Sequence, residues 1–242
     1  MFSSTMRSLV AVAGLAMATA SLAACAPSSS AHGLSVVATT TQICDYVTQI
    51  AARSADISLD KTDAAGKNSH VGAAPDGASL TMSLTCLLAP NASAHEHEMT
   101  PEQTSALAQA DVMAVSGVDL EHFLDDAVVS SGFKGRMVVT SGVLTAADVD
   151  NPGAPDPEGA YTIDRGSERV DVAPWPFPPE EAGEEPEFRF DPHVWTSPKG
   201  ARVQVANLGA GLAAAAPDAA SSINAATASY LEDIDALDQW TA

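Results

Sequence analysis

The sequence predicts an α/β fold: a parallel-sheet lobe flanked by helices and followed by one long helix. Three observations predict it. Short β-branched apolar runs alternate with segments whose apolar residues recur at helical spacing, and the turns between them are short. Two helix starts are written plainly, as Thr100-Pro101 and Ser197-Pro198, each a hydroxyl N-cap followed by a proline in the first turn. The 242-residue chain is 46% hydrophobic but only 5% aromatic, enough apolar material for a core built from Ala, Val and Leu.

Leu34–Thr39 is the first strand, and Gln42–Ala52 the first helix, with Ile43, Tyr46, Val47 and Ile50 on one face. Arg53–Ala78, rich in Gly, Asp, Lys and Ser, reads as a loop whose His70 is solvated. Leu80–Leu88 is the second strand. Thr100 then caps a helix running to about Ala110, with Gln103 in the reciprocal position of a capping box. Val112–Val115 is a third strand, Leu120–Val129 a helix ending near Gly132, and Arg136–Thr140 a fourth strand. Segment 151–190 breaks the alternation. It carries Pro152, Pro155, Pro157, Pro174, Pro176, Pro178, Pro179 and Pro186 among Glu180, Glu181, Glu184, Glu185 and Glu187, and reads as a flexible acidic, solvated insertion. Ser197 caps a helix through about Ala216. Pro217-Asp218 interrupts, and Asp218 caps a last helix with Ile223, Tyr230, Leu231, Ile234, Leu237 and Trp240 on its apolar face.

The start of the chain reads as an export signal. Arg7 precedes an apolar stretch from Leu9 to about Leu22, too short for a comfortable membrane span of roughly 20 residues. Leu22-Ala23-Ala24-Cys25, followed by a Ser-rich run, resembles the bacterial lipoprotein box. That resemblance implies a signal peptide over 1–24, lipid on the Cys25 sulfur, a tether over 25–33, and a protein anchored to the cell membrane on its extracytoplasmic face. With Cys25 lipidated, Cys44 and Cys86 remain as an even pair. Outside the cytoplasm such a pair reads as a disulfide, though two buried thiols would fit the same sequence. The net charge of −20 argues against nucleic acid and anionic headgroups as partners.

Two histidines stand in short polar turns at helix entrances: His95, in His95-Glu96-His97-Glu98-Met99-Thr100-Pro101, and His193, in Asp191-Pro192-His193-Val194-Trp195. Imidazole is the commonest protein ligand for zinc and similar metals, and in a parallel sheet, sites form beyond the carboxyl ends of the strands. Two such turns meeting in one cleft would make half a metal site. Two histidines and a water could also serve a metallohydrolase with Glu96 or Glu98 as general base, or the lipoprotein could be a surface adhesion or interaction protein with no metal role.

The motifs together resemble the metal-binding lipoproteins of bacterial ABC importers for zinc and manganese, the cluster A-I solute-binding proteins. The matching features, in order, are the lipobox, Val36-Val37-Ala38-Thr39-Thr40, the His95–Pro101 turn, Ala110-Asp111, Gly117 to Leu124, and Asp191–Trp195 with Ser197-Pro198. The resemblance implies metal capture rather than catalysis, with His95 and His193 as ligands and Zn2+ favoured over Mn2+. It also implies delivery by a monomer to an ABC permease and its ATPase. His97 takes the family's aromatic position and Met99 replaces its proline, leaving open that His97 substitutes for His95 or binds a second ion. His122 reads as a helix-surface histidine. The resemblance further implies that 34–216 is the N-terminal lobe of a two-lobe protein, that 217–242 begins the inter-lobe helix, and that the second lobe with its remaining ligands is missing from this chain.

Overall fold

The computed structural model describes residues 1, 33–153, 155–156, 159–179, 184 and 186–242. Residues 2–24 of the predicted signal peptide, Cys25 and most of the tether lie outside the described residues, as do Pro157, Glu180, Glu181 and Glu185. Among the described residues, no helix is long and apolar enough to cross a membrane.

The elements are β1 (Leu34–Ala38), α1 (Thr41–Ala52), β2 (Ile57–Thr62), β3 (Asn68–Gly72), β4 (Leu80–Cys86), α2 (Pro101–Ala108), β5 (Val112–Val115), α3 (Leu124–Ser131), β6 (Arg136–Val139), α4 (Ala146–Asp150), β7 (Thr162–Asp164), α5 (Pro198–Ala215) and α6 (Ala220–Thr241). They build a seven-stranded sheet in the order β3-β2-β4-β1-β5-β6-β7. Every pairing is parallel except the β2–β3 hairpin. Alternate side chains of each strand feed opposite layers, as the two-residue period requires. Val36, Val112, Ala114 and Val138 join α1, α5 and α6 in one apolar cluster. Val37, Met113, Val115, Met137 and Val139 join α2 and α3 in another.

Helix ends follow their local chemistry. Thr40 caps α1 by accepting from the Ile43 amide, Thr100 and Gln103 form a reciprocal capping box on α2, and Ser197 caps α5. Gly132 ends α3 in the left-handed conformation at φ 66°. Cys44 in α1 and Cys86 at the end of β4 are joined by a disulfide, Cα–Cα 5.6 Å.

Four sequence expectations are corrected. Segment 53–78 is not a loop: it holds the β2–β3 hairpin, and His70, though exposed, bridges it through Asp60 Oδ1 at 3.0 Å. The 151–190 insertion is not simply solvated. It supplies β7, buries Val170 and Phe188, closes on itself through the Pro174–Phe190 bridge, and is tied back by the Val170 amide to the Ser141 carbonyl and the ion pair of Arg189 with Asp150. Asp218 does not cap the last helix, because Pro217–Ala219 form a 3-10 turn and Ala219 is the N-cap. On α6, Ile223 and Ile234 are buried, but Leu237 and Trp240 are 49% and 83% exposed. The 22-residue α6 is longer than the 18-residue α5 it packs along.

Candidate metal centre

β1 and β5 are neighbours in the sheet, yet the chain leaves them in opposite directions, towards β2 on one side and β6 on the other. That arrangement opens a crevice beyond their carboxyl ends, the usual ligand site of such sheets. Its floor is polar and buried. In α5, Gln204 donates to Ser116 Oγ (3.0 Å) and Thr140 Oγ1 (3.2 Å). Asn207 donates to the carbonyls of Thr140 and Glu168. These bonds lock α5, whose first residue follows the His193 turn, under the strand ends.

The two predicted ligands meet here. His95 lies in the loop between β4 and α2, and His193 at the turn before α5. Their ring centres are 5.5 Å apart, at 76°. A cleft of ≈ 180 Å³ is lined by both, with Thr40, Thr41, Leu120 and Trp195. Each ring has one nitrogen committed. His95 Nδ1 is 3.2 Å from the Leu120 carbonyl, which can only accept, so Nδ1 carries the proton. His193 Nδ1 is 2.8 Å from Asp191 Oδ1, which accepts the His193 amide as well. Both Nε2 lone pairs are therefore left for a ligand, the arrangement in which an outer carboxylate or carbonyl orients a metal-binding imidazole. Burial lowers the His95 pKa, the nearby Glu187 carboxylate offsets part of that, and the neighbouring His193 ring adds to the lowering. The net lowering favours a neutral ring that can bind a cation.

The turn from Gly117 to Phe123 presents the Leu120 carbonyl. Gly117, Val118 and Asp119 all have positive φ, 85°, 58° and 56°. A left-handed β-branched residue is strained, and the surroundings hold it there. Val118 and Asp119 donate their amides to the Val143 and Leu144 carbonyls. The buried Glu121 carboxylate accepts from Thr39 Oγ1 (2.6 Å) and from the amides of Ser116 (2.6 Å) and Gly117 (3.0 Å). Burial pushes its pKa up, and those donors pull it part of the way back. Helix α3 consequently starts at Leu124, not at Leu120 as periodicity suggests.

The remaining histidines separate. His97 turns away from the pair and packs edge-on against Phe123, ring centres 4.9 Å apart. Met99, in the place of the family's proline, packs on the apolar cluster of that layer. His122 is not a helix-surface residue: it precedes α3 and stands 5.7 Å from the His95 ring. Phe188 and Trp175, from the insertion, border the site. Phe188 lies 4.8 Å from the His95 ring, and Trp175 stacks on His193 at 5.9 Å and 29°. Sequence reasoning missed Glu121, His122, Gln204, Asn207, Trp175 and Phe188. Only the paired polar positions on the otherwise apolar α5 offered a signal. Among the described residues, no three His, Cys, Asp or Glu side chains already stand in metal-holding geometry.

Residues 78–242 match the family model of the periplasmic zinc-uptake complex component A, ZnuA. The chain belongs to this family. Its fold is similar to that of several solved proteins. With Zn(II)-bound AdcA from Streptococcus pneumoniae it shares 18% identity at a TM-score of 0.52, covering 86% of this chain and 32% of that one. With the metal-dependent lipoprotein YcdH from Bacillus subtilis it shares 17% identity at 0.51, covering 86% and 54%. A ZnuA crystal structure matches at 15% identity and 0.51, covering 86% and 56%. The chain thus spans at most about half the length of these solved proteins. Their likeness to the lobe built from β1–β7 and its helices is a likeness of fold.

Proposed function

We propose that this ZnuA-family chain captures a divalent cation outside the cytoplasm, zinc in preference to manganese, and hands it to an ABC permease driven by its ATPase. The observation that carries the reading is the convergence of His95 and His193 at 5.5 Å, each with Nδ1 already committed and Nε2 free. The ion is cargo, and the chain acts by binding, not by catalysis. Two imidazoles supply half of a tetrahedral sphere, so water or further residues complete it. Imidazole donors suit zinc better than manganese, which favours oxygen ligands. The family model's own description, zinc uptake in the periplasm, supports the compartment and the cargo. In the same reading residues 1–24 are a signal peptide, Cys25 carries the lipid that anchors a monomer to the membrane, and 217–242 begins a linking helix.

The test is calorimetric titration of the chain with Zn2+ and Mn2+, with His95→Ala and His193→Ala alongside. Zinc binding tighter than manganese binding, weakened by either substitution, is the expected result. Binding untouched by both substitutions, or no binding at all, refutes the proposal.

A further inference from the structure

A third imidazole stands beside His95, on the side of Phe188. The His122 and His95 ring centres are 5.7 Å apart, nearly the 5.5 Å between His95 and His193. Two imidazoles bound through one nitrogen each to a tetrahedral zinc, at about 2.0–2.1 Å per bond, have ring centres roughly 5 Å apart. Both separations are thus close to those of rings sharing an ion. His122 is also uncommitted. Its ring touches those of His95 and Phe188 (5.4 Å), no hydrogen bond to a described residue holds it, and it is exposed. To share an ion with His95 and His193 its ring must turn inward about its side-chain torsions, and its exposure leaves that turn open.

The backbone beneath His122 is built to hold a position. The left-handed run Gly117–Asp119 is a conformation that Val118 adopts only under constraint, and a Cβ on Gly117 would lie 2.1 Å from the Val143 carbonyl oxygen. Glu121, the residue before His122, is buried and accepts three hydrogen bonds. Leu120, the residue before that, fixes the tautomer of His95. One strained, over-determined turn thus orients the first imidazole and carries the third.

We infer that His122 is a third ligand for the captured cation, supplied by the same lobe as His95 and His193. The inference rests on the capture reading above. It makes the half-site a three-imidazole face with one open position, a donor set suited to zinc and poorly suited to manganese.

The test uses the full chain, with Co2+ as a visible-absorption probe of coordination and Zn2+ in competition. The variants are His122→Ala, His122→Phe, His95→Ala and His193→Ala. His122→Phe keeps an aromatic ring against His95 and Phe188 but cannot ligate. Both His122 variants are expected to weaken Co2+ and Zn2+ binding by about tenfold or more. They should also change the bound Co2+ spectrum, and zinc should shift the His122 ring-nitrogen resonances of the parent. Parent-like binding in both His122 variants, with His95→Ala weakened, overturns the inference and leaves the two-histidine site standing. Weakening in His122→Ala but not in His122→Phe also overturns it, because the ring then acts by packing alone. Binding unchanged in His95→Ala and His193→Ala refutes the capture site itself, and the role of His122 with it.

Discussion

Asp191 offers the cleanest separation of site from scaffold. Its Oδ1 accepts from His193 Nδ1 at 2.8 Å and from the His193 amide at 3.0 Å. The first bond fixes the tautomer and raises the basicity of Nε2; the second holds the turn. Asp191→Ala removes both. The ring is then free to place its proton on Nε2 or to rotate, and each change takes the lone pair out of the crevice. Loss of such an outer partner costs about 10–100-fold in metal affinity, or about 1.4–2.7 kcal/mol. Asp191→Asn keeps a carbonyl acceptor without the charge and should fall between parent and Ala. The scaffold should hardly respond, because the carboxylate is 38% exposed and its two partners lie in the same turn. Surface changes of this kind cost within about 0.5 kcal/mol, a Tm shift of roughly 1–2 °C in a lobe of this size. Zinc affinity by competition with a chromophoric chelator, beside thermal unfolding, measures both. Unchanged affinity in Asp191→Ala would show that His193 does not bind through Nε2. A Tm drop of many degrees would show that the turn is structural first.

Three further outcomes are expected. The Cys44–Cys86 disulfide closes a sequence separation of 42 and so stabilises by about 4 kcal/mol through the unfolded chain; reduction should lower Tm by roughly 8–16 °C, read by calorimetry with and without a reductant. A Cβ at Gly200 would lie 1.9 Å from the Val194 carbonyl oxygen, so Gly200→Ala must displace the His193 turn from α5. It should cost about 1–3 kcal/mol and weaken zinc binding as well, whereas Gly153→Ala, which meets nothing within 4 Å, should do neither. His70 faces two acceptors, Asp60 Oδ1 and the Ala73 carbonyl, both at 3.0 Å, so the charged ring can donate to both and its pKa is raised, chiefly by the Asp60 bond. A raised folded-state value means that the stabilisation is complete below the unfolded value near 6.5 and is lost as pH rises through the folded one. NMR titration should place His70 above 6.5, and His70→Gln should flatten that part of the stability profile.

The parallel sheet and the two ligand turns were legible because each leaves a local mark. β1, β5 and β6 are buried along nearly all their length and read as short apolar runs, β4 alternates buried apolar with more exposed polar residues, and Thr100 and Ser197 announce their helices. The sheet edges were not legible. β3 has four exposed residues of five, and β7 has three residues, none buried, so neither carries an apolar pattern. Leu120–Phe123 reads as the start of a helix because Leu120, Phe123 and Leu124 match helical spacing, while the buried Glu121 that overrides it looks like any surface acid in sequence. Trp175 and Phe188 sit in a Pro- and Glu-rich segment whose composition argues for solvent. The pairing of 173–175 with 189–191, through amide-to-carbonyl bonds from Trp175 to Arg189 (3.1 Å) and from Asp191 to Ala173 (2.8 Å), folds them over the histidines.

That last placement bears on selectivity. Phe188 is buried, Trp175 is half-buried, and the two rings are 5.0 Å apart, so they form one apolar rim beside His95 and His193. An apolar rim lowers the local dielectric and strengthens any bond between a cation and imidazole lone pairs. It also offers no oxygen donors, which manganese needs and zinc does not. The acidic residues of the same segment face the other way in this logic: exposed Glu187 raises the local concentration of cations without reading their identity. Attraction would then come from the carboxylates and discrimination from the aromatic rim with its nitrogen donors. Removing the two rings together, Trp175→Ala with Phe188→Ala, should therefore narrow the zinc-over-manganese ratio more than it slows association. A double variant that lost association rate and kept the ratio would assign selectivity to the histidines alone.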